Sequence, residues 1–275
     1  MKITVMCVVR DSADILPVCL KRLEAVGKGH DMEYYFYEND SKDNTVELLE
    51  TWLLDKNGKV FSEILDAPSF GHTVEKDRMA YYRNTLLDKI KPLDSEYCLV
   101  IDADIDFTPD IIDKYMMHMS TIVAMCTPYV KQSVKCNMCN CGKHSYYDTY
   151  ALMDTDGNLG ITLSCNPFSK SEDRKLWEDK QPVPVTSAFG GVALIKTDVM
   201  NKVKWSTNGG CEHWNFCKEV NKYGDVIVIP TVESFVKIDK WELAPIQKEH
   251  QQKLIDDPWY RWSQKALSSN SNNRK

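Results

Sequence analysis

The chain has 275 residues, and its 34 lysines and arginines against 40 aspartates and glutamates give a net charge of -6 and a pI near 5.6. That balance excludes a chain-wide basic field of the kind that holds nucleic acid or an anionic membrane. No run approaches the roughly 18 apolar residues that span a bilayer, and the length suits one catalytic-size domain.

The opening MKITVMCVVRDSADILP reads as a strand broken by Arg10 and Asp11, not as a signal peptide. Ten cysteines are present, with Cys7, Cys19, Cys98 and Cys126 scattered through apolar segments as core residues are. The expectation is therefore reduced thiols in a cytoplasmic compartment.

In chain order, ITVMCVV, EYYFYE, VFSEILD and YCLVID read as strands. Between them, ILPVCLKRLEAV, TVELLETWLLD and VEKDRMAYYRNTLLDKI carry helical spacing. This alternation predicts an α/β fold with a mostly parallel central sheet flanked by helices. Ligands in such sheets bind at the carboxyl ends of the strands. Asp11 and Ser12, then Asp43, Asn44 and Thr45, are the expected helix N-caps. From about residue 126 the pattern is less regular, and AFGGVALI reads as a further strand. The tail 266–275, ALSSNSNNRK, has the composition of a flexible end.

YCLVIDADIDF drives a buried strand into Asp102, Asp104 and Asp106. A persisting strand would line them on one face, and an ending strand would fan them around its edge; either way the carboxylates are expected to converge. Hard oxygens at that density suit Mg²⁺ or Mn²⁺. The competing reading makes them caps and loop residues ahead of the helix DIIDKYMMHM.

Together with YENDSKDNT after the second strand and RMAYYRNTLL before the aspartates, this order resembles the GT-A glycosyltransferases. The resemblance covers residues 1 to about 107, and 185 to 217 more loosely. It implies a single GT-A domain over 1–265, with a nucleotide-binding half (1–107) and a less regular acceptor-binding half (108–265). It further implies transfer of a sugar from a UDP- or GDP-linked donor to a hydroxyl of a glycan or glycoconjugate.

By motif, Val9, Arg10 and Asp11 would edge the base pocket, Glu38 and Asn39 would meet the base, and Arg83 the diphosphate. Asp104 would be the main metal ligand, with Asp102, Asp106, His213 and His250 as further candidates. Gly190 and Gly191 would let the sugar approach backbone. Glu212, in GGCEHWNFC, would be the catalytic base of an inverting enzyme, its pKa raised by burial; Asp148 and Asp156 are alternatives, and a retaining enzyme would use no single protein base. Trp177, Trp205, Trp214 and Tyr150 are candidate sugar platforms. The order YYDTYAL, GG, EH is similar to fungal capsule-associated mannosyltransferase-like and viral glycosyltransferases.

Two other functions compete with this reading. A nucleotidyltransferase would show a glycine-rich phosphate loop after the first strand, which VVRDSADILP lacks; a non-catalytic carbohydrate-binding module would show a degraded D-x-D, which is intact. Separately, KCNMCNCGKH offers Cys136, Cys139, Cys141 and His144 as ligands for structural Zn²⁺, against free thiols.

Overall fold

The computed structural model describes residues 1–65, 75–139, 141–207 and 210–236. His250 and the tail 266–275 lie outside the described residues.

The first half is built from β1 (Lys2–Val9), α1 (Leu16–Gly27), β2 (Asp31–Asn39), α2 (Thr45–Leu53), β3 (Gly58–Glu63), α3 (Glu75–Ile90) and β4 (Tyr97–Asp102). β1 and β4 are nearly continuous apolar runs because both faces of a central parallel strand are covered. In α1, Leu16, Cys19, Leu20, Leu23 and Val26 recur at helical spacing and are all buried. The second half adds β5 (Ile105–Phe107), α4 (Ile111–Met116), β6 (Val123–Lys135), β7 (His144–Tyr146), α5 (Ser171–Glu178) and β8 (Val183–Val185). It finishes with β9 (Val192–Lys196), α6 (Thr197–Met200), α7 (Glu212–Val220) and β10 (Asp225–Val236).

The sheet runs β3-β2-β1-β4-β9-β6-β10-β5, with β7 on β6 and β8 on β10. β1 lies parallel to β2 on one side and to β4 on the other, so the strand order reverses there. That reversal opens the sheet for a ligand beyond the carboxyl ends of β1 and β4. β9 enters antiparallel between β4 and β6, and β6 and β10 are again parallel. Parallel ladders carry most of the paired residues.

The structure sharpens three local expectations. The strand does not persist through the aspartates: it turns at Ala103 and Asp104, and β5 pairs antiparallel with β10. Gly190 and Gly191 precede β9 in positive-φ turn conformations, at 67° and 70°. A Cβ on Gly191 would lie 2.2 Å from Ile105 Cγ1, so only glycine fits the turn. Finally, Asp43 and Thr45 do more than start a helix. Asp43 accepts from the Ala13 and Thr45 amides at 2.9 and 3.0 Å, and Thr45 Oγ1 accepts from the Ser12 amide at 2.7 Å. With Asp11 accepting from the Lys42 amide at 2.7 Å, these bonds tie the β1–α1 loop to the β2–α2 loop.

Among the described residues, no helix is long and apolar enough to cross a membrane. All ten cysteines are unbridged.

Candidate active site

The carboxyl ends of β1 and β2 supply Val9, Arg10 and Asp11, and Glu38 and Asn39. Asp11 has φ 43° and Asp40 φ 56°, the left-handed conformation aspartate tolerates better than most side chains. Val9 is buried, and Arg10 pairs with Asp11 at 3.7 Å. Glu38 is 2% exposed, and both its oxygens are engaged, by the Ser41 amide and the Ser62 hydroxyl at 2.6 Å each. Its carboxylate therefore builds the turn. Asn39, also buried, donates to Asp40 at 2.9 Å.

Arg83 projects from α3, 3% exposed. Its guanidinium is hydrogen-bonded to Glu212 at the start of α7, donates to Asp102 Oδ1 at 3.1 Å, and lies 5.1 Å over the Phe189 ring. Next to it, Asn84 both donates to and accepts from the Trp205 backbone, at 2.7 and 2.9 Å. These two adjacent residues fasten α3 to Glu212, the first residue of α7, and to Trp205.

The charges here shape one another. Burial pushes Asp102 up to about 7 against the opposing pull of Arg83. Burial also works against charge on Glu212, but His213 and Arg83 beside it override that and the carboxyl sits below its ordinary range, opposite to the rise expected. His213 is buried, stacks on Phe189 at 4.1 Å, and is pushed down to about 3 by burial, so its imidazole is neutral. Asp148 follows β7, accepts from the Gly190 amide at 2.8 Å and is pushed up to about 6 by burial.

The three aspartates do not converge. Among the described residues, no group of three or more Asp, Glu, His or Cys donors other than a set of four cysteines comes together at metal-binding spacing. Asp106 instead forms an ion pair with Arg22 of α1. Asp104 is exposed at the turn, yet the protein around it raises its carboxyl above the usual range. Asp104 and Asp102 feel each other's charge, burial opposes the ionisation of both, and their hard carboxylate oxygens are of the donor type a divalent cation takes.

Trp205 and Trp177 are 2% and 4% exposed, Trp205 stacked on Phe216 at 4.2 Å, so both are core residues and not sugar platforms. Trp214 is half-buried against Tyr150 at 5.1 Å. Asp156 pairs with Lys170 at 3.2 Å on the surface. Tyr147, not among the residues expected from sequence, is partly exposed at its edge while its hydroxyl is raised by burial first and then by the charge of Asp148, Asp104 and Asp102. Its adjacency to Asp148 was the available signal. Phe189, which supports both Arg83 and His213, had only its place before the glycine pair.

The fold, with an acidic strand end and a buried arginine at the sheet's switch point, is that of a GT-A glycosyltransferase. Residues 29–222, more than half of the chain, match the family described as Cryptococcal mannosyltransferase 1, and the chain belongs to that family. Among solved structures it is similar to the mannosyltransferase PcManGT from Pyrobaculum calidifontis in complex with GDP-Man and Mn²⁺, with TM-score 0.57, 13% identity, and coverage of 99% of this chain and 75% of that one. It is likewise similar to S. aureus TarS 1–349 in complex with UDP-GlcNAc, with TM-score 0.53, 13% identity and 88% of this chain matched. The chain spans 60% of that TarS structure. No curated protein matches the sequence.

Proposed function

We propose that the protein is a metal-dependent transferase that moves a sugar from a nucleoside-diphosphate sugar to a hydroxyl of a glycan or glycoconjugate, with inversion and a carboxylate base. One observation carries this reading: Arg83 is held between Asp102 and Glu212 at the switch point, beside the open carboxylate of Asp104. The UDP-GlcNAc and GDP-Man held by the two structural neighbours support a UDP- or GDP-linked donor. Residues 1–107 are then the donor half and those from 108 onward the acceptor half. The ten unbridged cysteines fit a cytoplasmic, reducing compartment.

Departure of a nucleoside diphosphate builds negative charge on its β-phosphate. Arg83, kept cationic in a buried setting, is a preorganised partner for that charge, and Glu212 holds the guanidinium in place. Mn²⁺ or Mg²⁺, held by Asp104 and Asp102, would supply further stabilisation of the leaving group. Asp148 suits the base better than Glu212. Its carboxyl, raised to about 6, exchanges a proton near neutral pH, whereas Glu212 is committed to Arg83. Tyr147 stands beside it to orient the acceptor hydroxyl.

The test is incubation of the full chain with Mn²⁺ and a panel of UDP- and GDP-sugars, following donor hydrolysis and thermal shift. A response to one donor class, lost in Asp104→Asn, is expected. No response to any donor, or a response unchanged in Asp104→Asn, refutes the proposal. Product stereochemistry by NMR separates inversion from retention.

A further inference from the structure

The cysteine-rich segment between β6 and β7 is not used by the chemistry above, yet it is the most sharply organised group of ligand atoms among the described residues. Cys136, Cys139 and Cys141 meet Cys165, with all four sulfur atoms within 4.8 Å of one another. The separations are 3.4 Å for Cys136–Cys139, 3.6 Å for Cys139–Cys165 and 3.4 Å for Cys141–Cys165. Four sulfurs about 2.3 Å from a zinc ion occupy a tetrahedron with edges of about 3.8 Å, so these three separations fall within about 0.4 Å of that edge and none of the six exceeds it by more than about 1 Å. A disulfide needs about 2.05 Å, and all four cysteines are free.

His144, expected from sequence as the fourth ligand, is engaged elsewhere. Its Nδ1 lies 2.7 Å from the Gln132 carbonyl and its Nε2 2.9 Å from Lys135 Nζ. The fourth ligand comes instead from the loop before α5. That loop is docked by backbone bonds, Asn137 N–H to Leu163 O at 3.1 Å and Tyr146 N–H to Ser164 O at 2.8 Å, and by Trp177 donating to the Cys165 carbonyl at 3.0 Å. Three ligands thus sit on one tight loop and one on a segment distant in sequence.

We propose that Cys136, Cys139, Cys141 and Cys165 form a structural zinc site that clamps the far end of the β6–β7 hairpin to the 163–167 loop. Binding releases the thiol protons to solvent and changes no oxidation state, leaving a centre of net charge about −2 when four thiolates meet Zn²⁺. Lys143, Arg174 and Lys180 line the same 370 Å³ cavity as Cys139, Cys141 and Cys165 and outnumber its one acidic residue, Glu178, so the cavity's net positive charge offsets it. The consequence reaches the active site. Tyr147 and Asp148 leave the near end of this hairpin, where the Tyr147 amide donates to the Val130 carbonyl at 2.9 Å, so the metal steadies the strand that delivers them.

The test is metal analysis of the full chain purified under reducing, chelator-free conditions, with Co²⁺ substitution as a second readout. The expected result is about one zinc per chain, intense thiolate-to-cobalt absorption in the substituted protein, loss of the metal in Cys165→Ser and Cys139→Ser, and retention in His144→Ala. If the serine variants do not fold, the cobalt spectrum of the unaltered chain still decides. Zinc absent together with no cobalt–thiolate absorption overturns the proposal. So does metal lost in His144→Ala but kept in Cys165→Ser, or a thiol count showing these four cysteines oxidised in freshly isolated protein.

Discussion

Arg83→Met removes a guanidinium that lies between two site carboxylates. The side chains of Arg83 and Glu212 are 4% and 10% exposed, whereas that of Asp102 is 35% exposed. Water can therefore take over part of the solvation of Asp102, and its share of the loss is small. Glu212 has no such recourse, and stripping a buried carboxylate of its partner costs about 3–5 kcal/mol. For a chain of this size each kcal/mol moves Tm by roughly 2–4 °C, so the expected fall is roughly 6–20 °C. Urea unfolding followed by tryptophan fluorescence, alongside a thermal scan, measures it. The companion variant Glu212→Gln removes the stranded charge while keeping the shape. The double variant is therefore expected to be more stable than Arg83→Met alone, with a coupling of about 1–3 kcal/mol. A cost below about 1 kcal/mol for Arg83→Met, or a cycle that closes to zero, refutes the claim that this is a buried compensating pair.

Asp148, raised to about 6, must be ionised to accept a proton, so kcat/KM falls as pH drops through about 6, and Asp148→Asn is slow with that limb flattened. Gly191→Ala forces an L side chain into φ 70° and against Ile105, and a loss of about 2–4 kcal/mol is expected in denaturant unfolding, with the Asp102 turn disturbed. Asp102→Asn tests the raised carboxyl by linkage. Its folded value of about 7 exceeds its unfolded value, so ionising it costs stability as pH climbs from about 4 to about 7. The stability of the unaltered chain relative to Asp102→Asn should therefore decline across that window and level off above it, as measured by unfolding at stepped pH.

The first half is legible because its signals are local. Apolar runs of strand length, helical spacing between them, and acidic residues at the strand ends all lie close in sequence, and β1 to β4 follow them. Arg83 was found as a motif, but its locking between Asp102 and Glu212 depends on residues far along the chain. The second half was harder for the same reason. β9 enters antiparallel between β4 and β6, and nothing in VALIK announces which strands it joins. Asp106 read like its two neighbours, yet the turn at Ala103 and Asp104 sends it to Arg22 on α1. Cys165 stands alone in its segment, and only the folding of that loop onto the β6–β7 hairpin makes it a partner for the other three cysteines.

The Gly190–Gly191 turn has a mechanical meaning. The Gly191 carbonyl receives the Asp102 amide at 2.8 Å, while the Gly190 amide holds Asp148 at 2.8 Å. Asp102 and Asp148 are thus gauged against one short span of main chain that has no side chains to repack. On the function proposed above, the spacing between the carboxylate assigned to the donor and the one assigned to the acceptor becomes a property of the backbone, set before either substrate arrives.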